Sequence, residues 1–331
     1  AIRQYQELAR TLEAELGAEP EEATQALFEA IRTRRYPPPA SPPADEASPP
    51  AAAAAPAPPP APPLVGRERE LGDLLGMLGA EGGPRLVTLI GPGGAGKTRL
   101  AQAIVEQSAP RLAREALLVS LAEVAGPESI APAIAARLGL PAGEGDLEAR
   151  LLGALREREL LLALDNFEHL LEGAALVATI LAAAPQARLL VTSRERLGLA
   201  EEAVYPLAGL ELPAEEVGAA ALEAAAARLL LQRARLVRPE LAPGPADAAA
   251  IARICRLVQG MPLALTLAAS WAELLSFDEI AQEIGRSLDF LATDQRDVPE
   301  RQRSVRAVFE GSWRRLPAEV QRAFARLTVF H

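Results

Sequence analysis

The chain has 331 residues, half of them apolar and only 4% aromatic, with 44 acidic against 34 basic side chains for a formal net charge of −10. That length accommodates two or three small domains, and the acidic excess excludes nucleic-acid binding by bulk electrostatics. A single cysteine, Cys255, excludes an internal disulfide and, with only His169 and His331 beside it, leaves no ligand set for a structural zinc.

A core this poor in aromatics has to be built from Ala, Leu and Val, so helices should dominate. No uninterrupted apolar run reaches the roughly 18 residues of a membrane span, and no basic-then-apolar leader opens the chain. The expectation is a cytoplasmic protein with no membrane partner. Cys255 lies in the apolar run IARICRLV and reads as a small core residue.

Residues 1–36 predict two amphipathic helices. Tyr5, Leu8, Leu12 and Leu16 recur at helical spacing, Gly17 closes the first helix, and Pro20 precedes the second, whose apolar face is Leu27, Phe28 and Ile31. Two helices bury too little surface to form a domain alone, so they read as the end of one. Residues 37–63 are almost wholly Pro, Ala and Ser, with thirteen prolines. Such a segment has nothing to pack and reads as a polyproline spacer reaching on the order of 80 Å; a docking site for a proline-reading partner is the alternative. The basic clusters Arg32–Arg35 and Arg301–Arg306 read as solvated helix faces, with a phosphate-backbone patch as the alternative.

From Leu64 the pattern changes. A helix is expected through Leu71, Leu74, Leu75 and Leu78, then a buried strand over Leu86–Ile90 and a helix over Arg99–Gln107. Ala116–Leu121 is the next strand, Pro127–Leu138 and Asp146–Arg158 are helices, and Glu159–Leu164 is an apolar strand ending at Asp165. Ala174–Ala184 is helical, Arg188–Thr192 is a strand and Val204–Leu207 a short last one. Alternating strands and helices call for an α/β fold, a parallel sheet with helices on both faces. Beyond residue 214 only helices are expected: Leu222–Arg238, Ala246–Gln259, Leu263–Leu275, Phe277–Phe290, Val305–Trp313 and Ala318–Leu327, with a strand beginning at Thr328.

The chemistry gathers around Gly91-Pro-Gly-Gly-Ala-Gly96-Lys97-Thr98, which fits the P-loop pattern G-x-x-x-x-G-K-[ST] between a strand and a helix. Gly91, Gly93, Gly94 and Gly96, with Ala95, let successive backbone N–H groups face a phosphate, and the helix start at Arg99 adds its partial positive charge. Lys97 would reach the β- and γ-phosphates and the Thr98 hydroxyl would hold Mg²⁺. Lys97 is also the one lysine of the chain, every other cation being arginine. A compact point charge is retained where a P-loop needs it.

Asp165, closing the apolar run some 60 residues later, is the expected second Mg²⁺ ligand. Glu168 is the nearest further carboxylate, placed either to orient an attacking water or on the surface. Arg194, after Thr192-Ser193, is either a γ-phosphate sensor or a surface arginine at a helix start. Guanine-selective P-loop proteins use Asn-Lys-x-Asp, which needs a second lysine, so adenine is favoured and ATP/ADP with Mg²⁺ are the expected ligands.

Together these motifs resemble the STAND class of P-loop ATPases, of the NB-ARC type found in bacterial transcriptional regulators. Val65-Gly66-Arg67-Glu-Arg-Glu70 resembles the entry motif beside the adenine, Leu161–Glu168 the Walker B region, and Leu190–Arg194 the sensor strand. Gly260–Leu265 (GMPLAL) resembles the motif of the helical lid whose proline, Pro262 here, packs on the adenine, and Arg303–Phe330 resembles the opening of a winged helix. Residues 1–36 resemble the last helices of a bacterial transcriptional activator domain. The resemblance implies domains over 64–214 (P-loop NTPase), 215–297 (all-helical lid) and 298–331 (winged-helix start). It also implies a switch: a closed ADP form, an open self-associating ATP form, and slow hydrolysis between them. DNA contact and the inducer would belong to an N-terminal head and a C-terminal sensor beyond this sequence. Asp165-Asn166 departs from the paired acids of fast ATPases, and His331 does not correspond to the late histidine that senses ADP. A multiple-turnover motor ATPase is the alternative.

Overall fold

A computed structural model describes residues 64–112, 115–141, 145–214, 219–293, 303–314 and 316–327. The helices expected in 1–36, the linker over 37–63 and the strand expected from Thr328 lie outside the described residues.

Among the described residues five strands, β1 (Leu86–Ile90), β2 (Glu115–Ser120), β3 (Leu160–Asp165), β4 (Arg188–Ser193) and β5 (Glu202–Pro206), form one parallel sheet in the order β2-β3-β4-β1-β5. Parallel neighbours need long crossovers, here carried mainly by helices: α1 (Glu68–Gly79) leads in, then α2 (Lys97–Leu112), α3 (Ile130–Arg137), α4 (Leu147–Leu155) and α5 (Ala174–Ala183). β3 and β4 bury every side chain, as strands covered on both faces do. Period-two alternation deals those side chains into two cores. Val87, Leu89, Leu161, Ala163 and Leu190 pack with α1 and α2, while Leu86, Leu162, Leu164, Leu189 and Val191 pack with Ile130, Leu151 and Ile180 on the other face.

A third core joins the helices that follow, α6 (Ala219–Glu223), α7 (Ala225–Val237), α8 (Pro245–Leu257), α9 (Pro262–Ser270) and α10 (Phe277–Arg286). Cys255 is buried there, as expected, and burial pushes its thiol up to about 12. Several boundaries differ from the sequence reading. The helix expected over Leu222–Arg238 is two, because Ala224 is extended at ψ 144°. The helix expected to Leu275 ends at Ser270, where Trp271 turns to stack on Phe290 at 4.5 Å and to donate its indole N–H to the Phe290 carbonyl at 3.2 Å. α2 begins at Lys97 and runs to Leu112, longer at both ends than read. The last helices, α11 (Val305–Trp313) and α12 (Ala318–Leu327), have the expected limits.

The sheet and the later helices meet at Leu207–Leu210. Leu207 N–H donates to Ile90 O at 2.7 Å, and Leu210 N–H to Gly260 O at 2.8 Å. Gly209 and Gly260 permit this: a Cβ on Gly209 would sit 2.0 Å from Gln259 O, and one on Gly260 2.3 Å from Leu210 O. Among the described residues no helix is long and apolar enough to cross a membrane.

Candidate functional site

The loop from Gly91 to Gly96 links the end of β1 to the start of α2. Gly94 (φ 80°) and Gly96 (φ 93°) hold left-handed backbone that an L side chain rarely adopts, which is what their lack of a Cβ permits. Lys97 is buried at 9% exposure, its ammonium donating to Gly91 O at 2.7 Å and Pro92 O at 3.1 Å.

Thr98 donates its hydroxyl to the Asp165 carboxylate, with Oδ1 at 2.9 Å and Oδ2 at 3.1 Å. β4 stands between β3 and β1, so the acid reaches the loop from two strands away. It is held in that posture by Thr192 of the intervening strand, whose hydroxyl donates to Asp165 Oδ1 at 2.6 Å and accepts from Asn166 N–H at 2.9 Å. Asn166 is left-handed at φ 70°, which bends the chain off β3 immediately after the acid. A hydroxyl and a carboxylate side by side are hard oxygen donors of the kind Mg²⁺ takes, so the residues present fit that ion.

Glu168 and Arg194 form a salt bridge at 3.0 Å, and Glu168 is 7% exposed, which removes the surface reading for the acid. No helix begins at Arg194, so the surface-arginine reading is also corrected. Its guanidinium instead reaches α11, donating to Ser312 Oγ and, at 3.5 Å, to Val308 O.

These groups line a cleft of about 750 Å³ between the P-loop and the helices α7 and α9, a size that suits a small-molecule ligand. Val65, Arg67, Gly93–Arg99, Glu168, Arg194 and Pro262 are on its wall; Gly66, Gly91 and Asp165 are not. Gly66 abuts Ala225 at the head of α7, and Gly91 abuts Leu207 O. Arg67 is 5% exposed and ties the entry segment to the loop, donating to Ala95 O at 3.3 Å and to Ala208 O. Leu263 N–H donates to Gly94 O at 3.2 Å, and Pro262 Cγ would lie 3.7 Å from a Cβ on Gly96. The GMPLAL segment thus closes on the loop itself.

Sequence reasoning missed the orienting role of Thr192, although its polar position at the end of an apolar strand was a signal. It also missed Ser312, for which no local pattern exists, and Arg233 on α7, which lines the same cleft.

A parallel sheet that feeds a glycine loop into a helix, with an acid from two strands away bonded to the loop's threonine, defines a P-loop fold. Residues 80–193 match the AAA domain family (AAA_22), and residues 1–32 match the bacterial transcriptional activator domain. The chain is thus similar to an AAA domain over residues 80–193 and to the end of a bacterial transcriptional activator domain over residues 1–32. It is 36% identical over 251 residues to a protein of Mycobacterium tuberculosis (strain ATCC 25618 / H37Rv) provisionally named as an HTH-type transcriptional regulator, covering 74% of this chain and 27% of that protein. An uncharacterised Mycobacterium bovis protein is 33% identical over 269 residues, covering 80% of this chain and 65% of the relative. The chain thus spans about a quarter of the length of the regulator it matches. Among solved structures, a STAND protein with a tetratricopeptide repeat sensor from Pyrococcus horikoshii aligns at TM-score 0.40 and 19% identity, over 67% of this chain and 32% of that one.

Proposed function

We propose that this chain is the nucleotide-operated switch of a larger transcription regulator, binding ATP and ADP with Mg²⁺ in the cleft beside the P-loop. The loop amides and Lys97 hold the phosphates, Thr98 and Asp165 hold the metal, and Val65 and Pro262 flank the adenine. Bound Mg²⁺ would neutralise phosphate charge there. ADP favours a closed form; ATP favours an open, self-associating one, and slow hydrolysis returns the first. Localisation is cytoplasmic, with DNA and the inducer contacted through other parts of the regulator.

The observation that carries this reading is the double engagement of Arg194. The cation expected at the γ-phosphate is bonded both to Glu168 in the site and to Val308 and Ser312 on α11. A phosphate that competes for this guanidinium must weaken its hold on α11, which gives ATP and ADP the differential affinity for two forms that any ligand-driven switch needs. Glu168, paired with Arg194, is then the group whose freedom to orient water depends on that arginine.

The test is to denature freshly purified protein, quantify the released nucleotide by chromatography, and compare the wild type with Arg194→Ala. Near-stoichiometric ADP is expected, with ADP affinity retained in the variant and ATP-dependent association lost. Equal loss of both nucleotides in the variant, or rapid multiple turnover by the wild type, refutes the switch.

A further inference from the structure

A second cavity, of about 260 Å³, lies beside the nucleotide cleft where several parts of the chain meet. Its walls include Leu257 at the end of α8, Ala264 on α9, Leu288 and Leu291 after α10, and Val305 and Val308 on α11. Among the described residues no charged side chain lines it, and Gln259 is its one polar side chain. Leu257 and Leu288 are on this wall and yet 38% and 50% exposed, so the mouth is as apolar as the interior.

These walls select by size and polarity. Water is held in a cavity by several polar partners at once, which a lining of this kind does not supply. A helix, about 10 Å across with its side chains, is too wide for the space. A cavity of roughly 150 Å³ holds one benzene ring, so this one suits a molecule of about two fused rings. A charged ligand would be buried there with no counter-charge, which excludes it.

Val308 connects this cavity to the nucleotide cleft. Its carbonyl accepts from Arg194 at 3.5 Å, and its Cγ1 lies 2.5 Å from where a Cβ on Gly93 of the P-loop would sit. Gly93 is itself on the cavity wall. A molecule in the cavity therefore touches α8, α9 and α11 together, and it makes all those contacts only while α11 stays packed against the loop.

We propose that this cavity is a second ligand site, for a small neutral apolar molecule, whose occupation holds α11 against α9 and the P-loop. Its consequence for nucleotide rests on the switch reading above. The ligand favours the form in which Arg194 grips α11, and hence ADP over ATP.

The experiment uses 5-fluoroindole as the probe. Fluorine NMR titration gives its affinity for the whole chain, for Val305→Phe, which fills the cavity, and for Leu288→Glu, which sets a charge at the exposed mouth. Thermal unfolding confirms that each variant is folded. The wild type should bind the probe, and each variant should bind it about tenfold or more weakly. Hydrogen exchange over Val305–Trp313 should slow when the probe is added to the wild type and stay unchanged in Val305→Phe. The probe should bind about fivefold or more tightly with ADP and Mg²⁺ present than with ATP and Mg²⁺. No binding by the wild type overturns the proposal. Wild-type affinity in either folded variant also overturns it, because the probe then sits elsewhere, the nucleotide cleft included. So does unaltered exchange of α11 in the probe-bound wild type. Equal affinity with ADP and ATP counts against the switch reading instead, and the variants and the exchange then decide the site by themselves.

Discussion

Replacing Thr192 by valine isolates what holds the acid of the site in place. The side chain is 1% exposed, so water cannot substitute for the lost hydroxyl. Two bonds disappear, the 2.6 Å bond to the Asp165 carboxylate and the 2.9 Å bond from Asn166 N–H. A hydrogen bond to a charged group contributes about 1.5–3 kcal/mol and a neutral one about 1 kcal/mol, so Thr192→Val should cost roughly 3 kcal/mol. The same substitution one strand away provides the control. Thr88 on β1 is fully buried and its hydroxyl has no partner among the described residues, so Thr88→Val removes a polar atom that gains nothing from burial. Stability should rise by about 1 kcal/mol, since an orphaned buried hydroxyl is itself destabilising. Urea unfolding followed by circular dichroism gives both differences, and calorimetry gives the affinity for Mg²⁺-nucleotide, which should fall only for Thr192→Val. If the two variants shift the unfolding midpoint equally, the hydrogen-bond argument for Asp165 is wrong.

Lys97→Ala should abolish nucleotide binding, and an unchanged dissociation constant would remove the site from the P-loop. Ser312→Ala leaves the cleft lining intact and loosens only the α11 end of Arg194, so association should appear at lower ATP while ADP affinity holds; an unaltered ATP dependence would show that the α11 contact exerts no control. Cys255, with its thiol pushed up to about 12, should carry roughly one thiolate in ten thousand at pH 8. Alkylation by iodoacetamide should accordingly need unfolding, and rapid labelling of the folded chain would contradict its burial. The Glu279 carboxyl is held below its usual range by the backbone N–H of Ser276. The cap it forms on α10 is thus stabilising above the ordinary glutamate range and lost as pH falls through the lowered value; acid titration of Glu279→Gln should lack that component.

The P-loop and the acid were legible because both are written in contiguous residues, glycines at fixed offsets and an apolar run ended by Asp165. The sheet was legible for a related reason. β3 and β4 read as unbroken apolar segments because both of their faces are covered. Strand order was not, since nothing local to Leu160–Asp165 says that β4 inserts between it and β1. The break at Ala224 was invisible because alanine is the best helix former, and only tertiary packing sets it extended. Arg194 was visible as a candidate, but its bonds to Val308 and Ser312 join residues more than a hundred positions apart. Arg233 looked like any solvated helix arginine until the cleft placed it.

The junction at Leu207–Leu210 has a mechanical consequence. Gly209 and Gly260 meet main chain to main chain with no side chain to cushion them, and the first turn of α7 is tied to the same point by Ala226 N–H on Glu211 O at 3.1 Å. Such a joint tolerates rotation far better than sliding, so it acts as a fulcrum set beside the P-loop. Arg233 then stands at the tip of an arm roughly 12 Å long, and a ten-degree swing would carry it about 2 Å, enough to break a hydrogen bond. Pro262, near the pivot, would hardly move. A small rotation would therefore widen the far end of the cleft while its P-loop end stays closed.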